Sequence, residues 1–410
     1  MELSALGRGL IVRCLVISLV TLFVPSGFSE EAHHPWFENA SASRGTVVET
    51  PSLQLPQTVR IRILRTKHSL RLTCSGAYAA RSIAGGKIIP LHGACTARRT
   101  KKGIQVGRSV YSGGVRVAPA NPSDYMVLNG RRCRGAMVFQ PLPNGRLDVV
   151  EHVGLEEYLY GVLPREVGAD WPLEALKAQA VVSRTYMVAN LATDPDQRYD
   201  VANDVSAQVY GGLEDEASAS NEAVDQTRGE ILTNAQGKPL QTFFHSSCGG
   251  KTETPEYVWS TGDTIGFTSI KDPFCKEDPF YHWELNISEP ILRARLRRAG
   301  FRVSEIKQIK IARVSPSGRA WIFLVKSSSG KREILGNRFR MAVGPEALRS
   351  TMITEITRTK RGFHFEGRGW GHGVGLCQWG ALGRAKDGQT YQQILEAYYP
   401  RAVLSRPSAP

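Results

Sequence analysis

From Thr58 to Val150 the chain runs through short apolar or alternating segments: TVRIRIL, SLRLTC, KIIPL, VRVAP, AMVFQPL and RLDVVEHV. Gly, Pro, Asn or Lys/Arg turns separate them. Segments of this length and patterning form strands. They predict a β-rich N-terminal domain over residues 47–150. The pattern then changes. Within Leu155–Leu191, Asp170 can cap a helix, and Pro172 suits its first turn. Leu173, Leu176, Ala180, Ser183, Met187 and Leu191 fall at spacings of three and four. Further helices are expected over Pro290–Gly300, near Gly344–Met352 and from about Tyr391 to Tyr398, with hairpins turning at Ser315–Gly318 and Ser327–Gly330. The expected class is α+β, with a second region spanning 151–405.

The start of the chain reads as an export signal over residues 1–29. Arg8 and Arg13 precede the apolar run Cys14–Val24, and Gly27 and Ser29 are small residues at the spacing a signal peptidase prefers. The run is short for the ~20 apolar residues of a membrane span. Residues 30–46 are polar and aperiodic, as in a linker. The expected location is outside the cytoplasmic membrane, in the periplasm or envelope. The formal charge is +14, and loss of Glu2, Arg8 and Arg13 with the signal leaves +13. An exported chain of this balance meets carboxylate- or phosphate-rich envelope polymers rather than nucleic acid. The densest basic stretch, Arg293–Arg340, alternates with apolar residues and reads as the solvated face of a sheet.

Three clusters carry chemistry. Glu166 lies between an apolar segment and the long helical pattern. Pro164 disfavours helix at Leu163, which places Glu166 on a bend or at a helix start. Flanked by Leu163, Val167 and Trp171, its carboxyl loses water, and a desolvated carboxylic acid suits general acid work near neutral pH. The second cluster, GRGWGHGVGLCQWGAL, interleaves six glycines between Gly367 and Gly380 with Trp370, His372, Cys377, Gln378 and Trp379. Glycine permits close backbone approach, and the aromatic faces suit sugar rings. The third, FFHSSCGGKTET, puts His245 and Cys248 at H-x-x-C spacing. Cys74, Cys95 and Cys133 fall in the first half; Cys248, Cys275 and Cys377 fall in the second. A zinc site of His245, Cys248, Cys275 and Cys377, a Cys248–Cys275 disulfide and free buried thiols all remain open at this stage.

The ordered set LEEYLYGVLPREVGADWPLEALKAQAVVSRTY, DVSAQVYGG, TRGEIL, FFHSSCGGKTE and GRGWGHGVGLCQWGA resembles the stage II sporulation protein D/LytB family, from about Leu155 to Tyr399. The resemblance implies a lytic transglycosylase acting on peptidoglycan glycan strands stripped of peptide stems. It carries the catalytic glutamate onto Glu166 and an active-site polar role onto Arg184. It also places Trp370, His372, Gln378 and Trp379 along the cleft, and it lends support to zinc near His245 and Cys248. Cys377 stands where many relatives have Ser, so a hydroxyl role there does not carry over.

Such an enzyme needs one acid–base residue rather than the usual pair of carboxylates. The acid protonates the leaving oxygen. As a base it then takes the proton of the sugar's own 6-hydroxyl, which closes on the anomeric carbon to leave a 1,6-anhydro end. No cofactor is required for that chemistry, and zinc enters only as a structural ion. Arg184 would stabilise developing charge or hold substrate. Asp204 is a second carboxylate whose ordinary role is in a turn or cap. Two competing readings are a non-catalytic wall-binding modulator of an amidase and a zinc-dependent hydrolase built on His245.

Overall fold

The computed structural model describes residues 54–191, 197–203, 210–259 and 266–407. The expected export segment 1–29, the linker 30–46 and Asp204 lie outside these residues. The strand segments of the first third assemble into two sheets. Thr58–Thr66 pairs antiparallel with Leu147–Gly154, which pairs on its other edge with Ala136–Pro141. Val115–Pro119, Tyr78–Ser82 and Ile89–Leu91 extend that sheet on one side; Val201–Ala202 adds a parallel edge on the other. A six-stranded sheet built on Leu70–Cys74 and Cys95–Thr100 lies against it. Leu72, Ile104, Val117, Met126, Phe139 and Val149 form the apolar core that the two sheets share.

Eight helices occur among the described residues: α1 (Leu155–Glu166), α2 (Leu173–Ala189), α3 (Ser218–Gln226), α4 (Pro255–Trp259), α5 (Glu289–Arg298), α6 (Gly336–Val343), α7 (Gln378–Lys386) and α8 (Tyr391–Tyr398). The fold is α+β, as the sequence pattern predicts. Strand gives way to helix between Gly154 and Leu155 rather than near Val150. The central element is α2. Leu176, Ala180 and Met187 pack towards α1 and α3. Ala178, Val181 and Val182 face a second core with Phe244, Leu376, Ile394 and Tyr398. A helix covered on several sides needs small apolar residues all round, and the AQAVV stretch supplies them.

Residues between Tyr281 and Gly369 form an insert with its own core, including Leu292, Phe323, Phe339 and Phe365. Its first strand, His282–Ser288, pairs antiparallel with its last, Gly362–Arg368. The Gly369 N–H then bonds the Tyr281 carbonyl at 2.8 Å, so the chain enters and leaves the insert side by side. The two hairpins turn where expected. The helix expected near Gly344–Met352 instead ends there: α6 finishes at Val343, and Gly344 at φ 107° is its cap.

Candidate functional site

Glu166 is the last residue of α1, not the first of a helix, because the helix runs through Pro164. Pro164 withholds an N–H from the Tyr160 carbonyl, yet the Val167 N–H still bonds the Leu163 carbonyl at 3.0 Å and closes the final turn. Glu166 is 4% exposed. Its charge is felt by two phenols, Tyr158 and Tyr186, both raised first by burial and also by Glu166. The loop after it brings Trp171 edge-on to Trp379, with ring centroids 5.6 Å apart. Trp379 is the second residue of α7. Gln378 and Trp379 therefore stand on the first turn of a helix rather than on the glycine-rich loop.

The glycine-rich segment is laced to the FFHSSC segment. Phe244–His245 and Leu376–Cys377 form a short parallel ladder. Ser247 and Trp370 exchange backbone bonds of 2.9 and 2.8 Å, and the Trp379 N–H bonds the Ser246 carbonyl at 3.0 Å. The close approach explains two glycines. A Cβ on Gly371 would lie 2.7 Å from the His245 Cβ, and one on Gly373 would lie 2.6 Å from the Arg319 guanidinium carbon; both positions have positive φ.

Between these segments His245 and His372 face each other with ring centroids 5.6 Å apart. Val374 fixes their tautomers in opposite senses. Its N–H donates to His372 Nδ1 at 3.0 Å, which leaves the His372 proton on Nε2. Its carbonyl accepts from His245 Nδ1 at 3.1 Å, which leaves His245 Nε2 as an acceptor. Neither Nε2 has a partner among the described residues. Burial and then Arg340 and Arg319 pull His372 down to about 3. Burial, then His372 and Arg319, hold His245 well below its ordinary value. The result is a neutral donor beside a neutral acceptor, walled by Trp259 at 5.1 Å and Phe243 at 6.2 Å from His372.

Cys248, Asp272, Cys275 and Cys377 form a third feature, all buried, with ligand atoms within 4.8 Å of one another. The cysteines are free thiols, and Cys248 Sγ lies 3.4 Å from Cys275 Sγ. Hydrogen bonds from Cys248 and then Cys377 pull the Cys275 thiol down, while burial pushes Cys248 and Cys377 up. Cys377 Sγ also accepts the N–H groups of Cys248 at 3.2 Å and Gly380 at 3.3 Å. Asp272 is held by the Tyr398 hydroxyl at 2.7 Å. Three sulfurs and a carboxylate in this compass fit a tetrahedral zinc by donor chemistry. His245 does not belong to the group: the ligand atoms that lie within 4.8 Å of one another are those of Cys248, Asp272, Cys275 and Cys377. The D-x-x-C spacing of Asp272 and Cys275 is as legible as H-x-x-C and is the signal that sequence reasoning passed over.

Arg184 is placed elsewhere too. Its guanidinium is fully buried and binds Glu156 at 2.6 Å, with further bonds to the carbonyls of Glu230 and Val224. Glu156 opens α1 and Glu166 ends it, about 15 Å along the axis. Arg184 thus ties α1, α2 and α3 together and does not meet the acid. Trp370 sits edge-on to Phe280 at 5.2 Å, with Arg349 over both rings. Gln378 is buried, and its Nε2 has no partner among the described residues. Arg319 was not expected at all. It enters from the insert's hairpin, donates to the Cys248 carbonyl, and leaves Nε and Nη1 unpartnered among the described residues.

The region thus gathers the buried Glu166 carboxyl, aromatic side chains, two neutral histidines and a buried cysteine–aspartate cluster. Comparison with known proteins assigns the class. The family described as stage II sporulation protein matches residues 143–234, and a domain of unknown function matches 267–375. An uncharacterized protein of Brachyspira hyodysenteriae is 34% identical over 277 residues, covering 67% of this chain and 73% of that protein. Stage II sporulation protein D of Bacillus amyloliquefaciens is 31% identical over 271 residues, covering 62% and 75%. The amidase enhancer of Bacillus subtilis is 29% identical over 346 residues, covering 72% of this chain but only 47% of its own length. This chain belongs to the stage II sporulation protein D family. Membership supports a cell-wall-related function.

Two outcomes follow from the geometry. Arg184→Met is expected to destabilise the protein by about 2–4 kcal/mol in denaturant unfolding, because it leaves the part-buried Glu156 carboxylate without its cation and frees the carbonyls of Glu230 and Val224. A change below 1 kcal/mol would show that the tie is not structural. For His372, the unfolded imidazole protonates below about 6.5 whereas the folded one waits until about 3. The group therefore works against stability as pH falls through that window, by up to ~1.4 kcal/mol per pH unit. His372→Gln should flatten the acid limb of the stability profile; an unchanged limb would contradict the neutral assignment.

Proposed function

We propose that this chain is an exported lytic transglycosylase that cleaves peptidoglycan glycan strands, stripped of peptide stems, to products with 1,6-anhydro ends. The observation that carries the reading is Glu166, buried at the end of α1 and joined to the glycine-rich segment through Trp171 and Trp379. In this reading the Glu166 carboxyl, carried at the end of α1, is the acid that protonates the glycosidic oxygen. The resulting carboxylate takes the proton of the 6-hydroxyl as that oxygen closes on C1. Protons balance, and one residue serves both steps. His245 and His372 offer an acceptor and a donor to a sugar hydroxyl, while Trp370 and Trp379 supply apolar surface.

Zinc has a structural place in this reading. Cys248, Asp272, Cys275 and Cys377 would hold it, and it would lock α7 to the Asp272–Cys275 turn. The second reading is modulation of a separate amidase, favoured by the likeness to the amidase enhancer over 72% of this chain.

Mass spectrometry of digested, purified glycan tests the chemistry. Glu166→Gln should reduce anhydro-ended products by at least about a hundredfold, the scale of a lost general acid–base. Equal product from both proteins would remove the enzymatic reading, and stimulation of an amidase by Glu166→Gln at the wild-type level would establish the second. For the metal, about one zinc per chain is expected. Cys377→Ser should lose it together with several degrees of Tm. Metal-free protein with an unaltered Tm would exclude the ion.

A further inference from the structure

The insert holds most of the chain's charge. Residues 282–367 contain 18 Lys and Arg against 7 Glu and no Asp, a balance of +11 out of +14 for the whole chain. Arg319 and Arg340 point inward and are buried, but the surplus lies on the surface. Its densest part surrounds the end of α5. Arg297 and Arg298 finish that helix, and Arg302 follows it. Arg332, from the strand Gly330–Leu335, donates to the Arg302 carbonyl at 3.4 Å. Arg338 of α6 lies over the Phe301 ring, 5.3 Å from its centre. All five are exposed. The insert's Arg–Glu pairs involve Arg293 and Arg313, and none of these five has a carboxylate partner among the described residues.

A helix dipole attracts cations to its C-terminus, which accounts for Arg297 and Arg298. It does not account for Arg302, Arg332 and Arg338, which other elements bring to the same place. Like charges gathered this way repel, and dissolved salt screens them only in part. A polyanion removes the repulsion. Thirteen of the 18 cations are arginine, whose planar fork binds phosphate and carboxylate oxygens in pairs. Phe323, Phe339, Phe363 and Phe365 are buried in the insert's core and offer no stacking surface to bases.

We propose that the insert holds the protein on an anionic polymer of the cell envelope, a glycan or polyol chain bearing phosphate or carboxylate groups. Arg297, Arg298, Arg302, Arg332 and Arg338 are its contact surface. Anchoring is independent of cleavage, since these residues lie in a module with its own core.

Co-sedimentation of the full chain with purified sacculi, over a series of salt concentrations, tests this. Three sacculus preparations serve as probes: untreated, stripped of phosphodiester polymer with aqueous hydrofluoric acid, and with carboxylates amidated. Replacing all five arginines by glutamine should weaken binding at least tenfold near 0.1 M salt. It should also lower the slope of log K against log salt by about 3, while cleavage of short soluble glycan is unchanged. Loss of binding on acid stripping identifies phosphate as the ligand, and loss on amidation identifies carboxylate. Should the five-fold variant fail to fold, Arg302→Gln with Arg332→Gln is expected to lower the slope by about 1. The proposal is overturned by unchanged binding of a folded variant, by binding that survives both treatments, or by tighter binding to duplex DNA than to sacculi.

Discussion

The lacing of the glycine-rich segment onto Phe244–Ser247 is the constraint on which the rest of the site depends. A two-residue ladder, the reciprocal Ser247–Trp370 bonds and the split use of Val374 bring distant parts of the chain to one place. Each side chain of interest then follows. Trp370 is held towards Phe280, His372 towards His245, Cys377 towards its sulfur neighbours and Trp379 towards Trp171. Adding a Cβ at Gly371 or Gly373 would drive the segment away from His245 or Arg319 and disturb every one of those placements.

Buried charge does the complementary work of fixing the larger parts. Arg184 and Glu156 join three helices, with the Gly229 N–H adding a further bond to the same carboxylate at 3.1 Å. Arg319 joins the insert to the backbone beside Cys248. Glu253 accepts from Ser315 and from Ser317 at 2.7 Å and so fixes the hairpin from which Arg319 springs. Uncompensated charge is costly in such places, so each connection tolerates few alternative packings.

Much of the architecture was legible because it rests on local periodicity. The strands before Val150, α2, α5, α8 and both hairpins follow from spacing and turn residues. The errors arose where tertiary packing overrides local preference. Pro164 is tolerated near the end of α1 because the neighbouring turns of that helix are buried, and Gly344 ends a helix instead of starting one. The site was legible by residue type but not by partnership. Glu166, His372 and Trp379 are set in the packed segments around α1, α7 and the glycine-rich segment. Sequence spacing cannot show that the Val374 carbonyl claims His245, that Glu156 claims Arg184, or that Asp272 joins three cysteines. Those facts depend on side-chain direction across segments up to 130 positions apart.

The side-by-side entry and exit of the insert has a consequence for how such a chain can vary. Partners in an antiparallel ladder stand roughly 5 Å apart, so the host region experiences more than eighty residues as if they were a short turn. Closing the loop costs the host little, whatever the length or charge of what is inserted. The insert's outer surface is therefore free to diverge between relatives at almost no expense to the glutamate-bearing body. Arg319, Arg349, the Ser315–Ser317 turn and the strands at its neck are answerable to both halves, and they set the limit on that freedom.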